Sequence, residues 1–281
     1  MFRLPLLLLV LMLAIASSLS AAGPSLHNGT LTLRTGDYEV TFVESAAWTL
    51  GRVNYRGKAI IVRTGANQSV LNLKSPREPG GEPWVGTSHG GEEITNVTLE
   101  VDGRPYPAEQ FANAAPGTRY RLLKTSRLGP LLCESEVTLE PSGLTERFRF
   151  KAEGDLATAR YLYVFMHCFA PTLGDWLAVL PDGQLVEEPF PGEKATHLRR
   201  DLKTLALYNE EQATGVIVRF PEAYHGEPGH SHFLINWPGR HHKHYFRVAA
   251  TAVDGGEYLC HFEAFTGSKE AWRERARTAQ P

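Results

Sequence analysis

Between Tyr224 and Val248 the chain reads YHGEPGHSHFLINWPGRHHKHYFRV and gathers six of its 11 histidines beside Lys243, Tyr245, Arg247 and Asn236. Abstracting a proton next to a carboxylate needs such a set. A cation or amide must neutralise the carboxylate, a base must take the proton and an acid must protonate the leaving oxygen. Uronic-acid polymers are substrates of that kind. Arg247 or Lys243 with Asn236 would bind the carboxylate, His232 or His241 would be the base and Tyr245 the acid. The field of the two cations would ease ionisation of the phenol. Metal binding is the second chemistry. His230-Ser231-His232 and His242-Lys243-His244 are both His-x-His pairs, which strand alternation turns to one side. A divalent ion that prefers imidazole, Zn²⁺ ahead of Ca²⁺, would fit His230 and His232. No other cofactor is implied. The plain alternative is the solvated face of an ordinary strand.

These residues need a β-hairpin to position them. Pro238-Gly239 suits the centre of a type II turn and sets Trp237 opposite Arg240. One face then carries His230, His232, Leu234 and Asn236 against Arg247, Tyr245, Lys243 and His241. The other carries Ser231, Phe233, Ile235 and Trp237 against Phe246, His244 and His242. A shift of one residue exchanges the faces, and a longer turn would let the two His-x-His pairs meet.

Two further stretches belong with the hairpin. In Trp84-Val-Gly-Thr-Ser-His89-Gly-Gly, the glycines allow close approach of backbone to a ligand and Trp84 can stack on a sugar ring. His167 falls with Tyr161, Tyr163, Phe165 and Phe169 on one face of the run Arg160 to Phe169, either as a groove floor or as a satisfied core histidine. His261 and Glu263 also share a face. The chain has no phosphate-binding glycine loop, Gly-x-Ser-x-Gly elbow or His-Glu-x-x-His helix.

Period-two alternation in short runs broken by Gly, Pro, Asn and Asp dominates from Thr30 to Phe265. Arg160 to Phe169 is apolar on both faces and reads as a central strand. Leu131 to Glu140 and Thr145 to Ala152 read as a hairpin with Phe148 and Phe150 inward. Ser268 caps one C-terminal helix that Trp272 would anchor. Ser75 to Glu93, Asp102 to Gly117, Pro181 to Lys203 and Pro221 to His230 read as long loops. The expected fold is all-β: a large antiparallel two-sheet β-sandwich with one short C-terminal helix, a single domain over residues 23–281.

Residues 1–22 read as a signal peptide: Arg3, an apolar run from Leu4 to Ala16, then small residues to Ala22. The expected location is secreted or periplasmic, with no membrane partner after cleavage. With 29 Lys and Arg against 31 Asp and Glu, net charge −2, the chain lacks the positive field of a nucleic-acid binder. Cys133, Cys168 and Cys260 permit at most one disulfide and have no metal-ligand spacing. Asn28, Asn67 and Asn96 open glycosylation triplets.

Export, size, strand count and a histidine-rich groove together resemble the galactose mutarotase-like β-sandwiches, which include sugar epimerases and domains of polysaccharide lyases. The resemblance implies a supersandwich-like fold and a carbohydrate or polysaccharide partner. The epimerases' histidine and glutamate motifs do not align residue by residue. His167 with Glu263 is a candidate counterpart, and no site residue is carried over. The expected function is a lyase-like or related enzyme acting on an acidic glycan. The alternatives are a non-catalytic carbohydrate-binding protein and a metal-binding or structural envelope protein.

Overall fold

The computed structural model describes residues 23–221 and 230–278. The expected signal peptide and the start of the histidine-rich stretch, including His225, lie outside the described residues. The described chain forms two antiparallel sheets. The 11-stranded sheet runs from Ser25–His27 through Thr30–Thr35, Tyr38–Val43, Thr49–Tyr55, Lys58–Ile61, Ala159–Phe169, His241–Ala249 and Ser231–Trp237 to Ala195–Arg200. Val70–Leu73 pairs beside its central strand, Ala159–Phe169, and Trp84–Val85 pairs in turn with Val70–Leu73. The 10-stranded sheet runs Leu185–Pro189, Asp175–Val179, Thr204–Asn209, Thr214–Arg219, Glu257–Thr266, Gly143–Ala152, Leu131–Glu140, Tyr120–Leu128, Glu92–Val101, Arg104–Pro107.

Alternation explains the packing. Phe148 and Phe150 on one sheet and Phe165, Phe169 and Phe246 on the other are all buried, and Phe148 meets Phe165 edge-on at 5.5 Å across the gap. Each such side chain contributes about 1.5–3 kcal/mol by leaving water. The helix Lys269–Thr278 starts where expected: Ser268 Oγ accepts from the Ala271 amide, and buried Trp272 stacks on Tyr208 at 5.1 Å. Among the described residues no helix is long and apolar enough to cross a membrane. Cys133, Cys168 and Cys260 are buried and free. Asn67 is buried too, accepting from the Cys168 amide and donating to Leu50 O, so its glycosylation triplet is not offered to solvent.

Several local expectations change: the stretches Ser75 to Glu93 and Asp102 to Gly117, expected as loops, contain the short strands Trp84–Val85 and Arg104–Pro107. The stretch Pro181 to Lys203 is not one loop: Leu185–Pro189 and Ala195–Arg200 form the edge strands of the two sheets, where proline and missing ladder bonds are tolerated. The hairpin turn has the expected chemistry, with Arg240 N donating to Trp237 O and Gly239 at φ +69. Its ladder, however, closes with Trp237 opposite His241, because Arg240 is an extra residue of the bulge that follows the positive-φ glycine. The pairing therefore slips by one residue. A second bulge, at Val164, shifts the central strand. Tyr161 and Tyr163 thereby share a face with Met166 and Cys168, while Phe165, His167 and Phe169 point the other way, into the core.

Candidate functional site

The slip sorts the hairpin into two sets. Ser231, Phe233, Ile235 and Trp237 lie opposite Arg247, Tyr245, Lys243 and His241 on the face away from the partner sheet. His232, Leu234 and Asn236 lie opposite Phe246, His244 and His242 on the core face. The outer face is roofed by two distant segments, Thr64 to Val70 and Trp84 to His89. Beneath them is a pocket of about 350 Å³, lined by Trp84, His89, Tyr163, Met166, Trp237, Arg240, His241, Lys243 and Tyr245 among others. Gly86 lets the second segment approach. At φ +116 it is closed to most residues, and a Cβ there would lie 2.7 Å from Ser69 O.

The walls are aromatic. Trp84 stacks on Tyr163 (5.9 Å between centroids, 11° between planes), Tyr163 meets Tyr245 at 4.8 Å, and Trp84 lies 5.9 Å from His89. The polar groups come from alternate residues of one strand. Thr64 Oγ1 is 2.6 Å from His241 Nδ1, and Arg240 Nη2 donates to Thr64 O, so the roof segment holds both at the rim. Lys243 Nζ donates to Ala66 O and, at 3.1 Å, to Cys168 Sγ. Burial, then the charges of Lys243 and Arg240, hold His241 down at about 4, so its imidazole is neutral at neutral pH. Burial also lowers Lys243 from the usual amine range. Burial, then the neighbouring Cys168 and Tyr161, pushes the Tyr245 phenol up to about 12, the opposite of the direction expected from neighbouring cations. The phenol stays protonated, an acid and not a base.

Of the expected site residues, the pocket gathers Trp84, His89, His241, Lys243 and Tyr245. Arg247 is on the same face but is sandwiched between the rings of Tyr161 and Phe233, at 5.4 and 4.9 Å, outside the lining. His232, His167 and Asn236 are elsewhere. His232 and His167 are fully buried between the sheets, and Asn236 donates to Pro191 O and Glu193 O and accepts near His242 Nδ1. They cannot touch a ligand in this pocket. His261 and Glu263 are not a pair with each other: His261 Nδ1 meets Thr145, and Glu263 binds Arg219 and Arg275. Reading residues alone missed Thr64, Trp237 and Arg240. Thr64 has no local signal, since it reaches His241 across 177 residues.

The inner face holds its own constellation. Glu146 Oε2 is 2.6 Å from His167 Nε2, His167 Nδ1 is 3.1 Å from His244 Nδ1, and His244 Nε2 is 3.0 Å from His232 Nδ1. Gln68 Nε2 and Cys260 Sγ also donate to Glu146, at 3.0 and 3.7 Å. His230 instead packs its ring against Phe246 and Tyr258. It does not join His232 in a ligand set of three or more; among the described residues that distinction belongs to Glu146, His167 and Cys260. Glu146 did leave a mark in the sequence, as the one charged residue on the inward side of Leu144, Glu146, Phe148 and Phe150.

No protein-family model and no curated protein matches the chain. Solved structures resemble it to differing degrees. α-N-acetylgalactosaminidase NagBb from Bifidobacterium bifidum superposes with a TM-score of 0.54 at 9% identity, over 86% of this chain and 37% of that one. A galactose mutarotase-like protein from Clostridium acetobutylicum gives 0.47 at 7% identity, over 85% and 95%. Heparan sulfate lyase HepC from Pedobacter heparinus gives 0.49 at 9%, over 88% and 37%. The structures named are two carbohydrate-active enzymes and a galactose mutarotase-like protein. At these identities the likeness concerns the fold, and the chain spans little more than a third of NagBb or HepC.

Proposed function

We propose that the chain is a carbohydrate-active protein whose pocket holds one unit of an acidic glycan, and that the pocket catalyses its β-elimination. The observation that carries this is the convergence of Arg240, His241 and Tyr245 with the Trp84–Tyr163 stack in a single pocket. Its volume is at the small end of the range of about 300–1,000 Å³ for ligand sites, which suits a sugar unit more than a length of polymer. The aromatic wall receives the apolar face of the ring. Arg240 at the rim neutralises the carboxylate. Asn236 is already committed to other partners, and Lys243 serves chiefly to anchor the roof through Ala66 O. His241, its Nδ1 held by Thr64, takes the proton beside the carboxylate on Nε2. The electron pair so released forms the new double bond and expels the glycosidic oxygen, which Tyr245 protonates.

A second reading rests on one feature of the same site. An imidazole held at about 4 is a weak base for work near neutrality, which favours a pocket that binds without turnover. One experiment separates the two. The protein is incubated with uronate-containing polysaccharides while the ultraviolet absorbance of the unsaturated product is followed, and retention is measured on glycan-containing gels. Turnover lost in Tyr245→Phe and His241→Gln, with retention intact, supports the enzyme. A flat trace with retention that weakens in Trp84→Ala selects the binding protein. Absence of both across the panel overturns the carbohydrate reading.

A further inference from the structure

Nothing in the pocket chemistry uses the constellation between the sheets, yet that constellation is costly. Glu146, His167, His232 and His244 are each fully buried, against a large apolar core. One hydrogen-bonded histidine would suffice to satisfy one carboxylate, and polar groups beyond that weaken a core unless they serve a purpose. We propose that Glu146, His167 and Cys260 form a structural site for a borderline-soft divalent cation, Zn²⁺ by chemistry, that bolts the two sheets together, with the second carboxylate oxygen of Glu146 as the fourth donor.

The placement fits that role. Glu146 and Cys260 sit directly opposite each other on neighbouring strands of the 10-stranded sheet, and His167 reaches them from the centre of the other sheet. Their donor atoms lie within 4.8 Å of one another. Ligands at zinc bond lengths of about 2.0–2.3 Å in tetrahedral arrangement stand about 3.3–3.6 Å apart. The Cys260–Glu146 separation of 3.7 Å already matches, and His167 and Glu146, at 2.6 Å, need to part by less than an ångström. Charge fits as well: a thiolate and a carboxylate cancel the two positive charges of the ion, so the loaded site adds no net charge to the core. The donor set of sulfur, nitrogen and a single carboxylate selects against Ca²⁺ and Mg²⁺, which prefer oxygen.

The two further histidines then have a purpose. Metal-bound imidazoles hold their orientation by donating from the other ring nitrogen. With the ion on Nε2, His167 donates from Nδ1 to His244, which donates in turn from Nε2 to His232. Each imidazole keeps one proton, and the thiol proton of Cys260 leaves on binding. Gln68 holds the other carboxylate oxygen of Glu146. This inference is independent of what the pocket binds.

The full chain is unfolded in denaturant with chelator, then refolded with chelator, Zn²⁺ or Co²⁺. The expected result is one ion per chain after desalting, a Tm raised by about 5 °C at roughly 100-fold excess over Kd, and a thiolate-to-cobalt charge-transfer band with Co²⁺. Cys260→Ser should lose the band, while Cys133→Ser, at another buried core cysteine, should keep it. Equal Tm with Zn²⁺ and chelator overturns the site, as does a band that survives Cys260→Ser. If Cys260→Ser fails to refold, cobalt bound to the wild type without the charge-transfer band overturns it equally.

Discussion

His241 and His242 are adjacent, both are nearly buried and both are held at about 4, yet they sit on opposite faces of one strand and have opposite prospects. His241 gives Nδ1 to a threonine of the roof and leaves Nε2 for the pocket. His242 stacks its ring on Phe190 at 3.6 Å and gives Nδ1 to Asn236, so its surroundings are all protein. The same contrast runs along both sets: outer Lys243 and Tyr245 border empty space, whereas inner His244 has both ring nitrogens engaged. Burial alone therefore does not mark a functional histidine. What marks it is spare hydrogen-bonding capacity beside a void.

Several substitutions would sharpen or break this contrast. His167→Leu should cost the most, about 3–5 kcal/mol in denaturant unfolding under chelation, because it strips a donor from the buried Glu146 carboxylate. Glu146→Leu combined with His167→Leu should recover most of that loss. A single-variant loss below 1 kcal/mol would mean that the inner set is not a tightly bonded unit.

Acid should act next. A histidine held below its unfolded value is neutral in the fold while the unfolded chain binds a proton. The unfolded state therefore holds more protons between about pH 6.5 and 4, and stability must fall as pH falls through that window. Across that window each of His241 and His242 contributes at most on the order of 3 kcal/mol to the loss. His242→Phe should flatten the Tm-against-pH curve there, and an unchanged curve would remove the inner imidazole from the account. Trp84→Ala should weaken glycan retention by about 1 kcal/mol, roughly fivefold, with little change in Tm. Thr64→Val should do least: a stability loss of about 0.5 kcal/mol and unchanged retention, with turnover slowed because His241 loses its orienting partner. Equal loss of retention and turnover would show that Thr64 shapes the pocket and does not aim the imidazole.

Much of the architecture was legible in the order of residues. Alternation marks the strands, the run Arg160 to Phe169 marks a strand covered on both faces, and Ser268 with Trp272 marks the helix and its anchor. The turn at Pro238-Gly239 was legible too, since only proline and glycine chemistry was needed. What failed was the count of residues between turn and ladder. Arg240 adds one, and with a period of two one residue is enough to re-pair the strands. That moved His232 away from Tyr245 and placed it beside His244 and Phe246, as only the longer turn allowed. At Val164 the same parity error carried His167 off the face of Tyr161 and Tyr163.

Residue order alone makes the chain mostly strand, places its turns and concentrates particular residue types near Trp237. Which of those residues meet a void and which meet each other depends on how the sheets pair and close. Two causes combine. Each bulge resets the parity of a strand, and no local rule counts bulges. The roof over His241 also comes from Thr64, 177 residues away in the chain, so the space that makes an imidazole useful exists only once the sheets have closed.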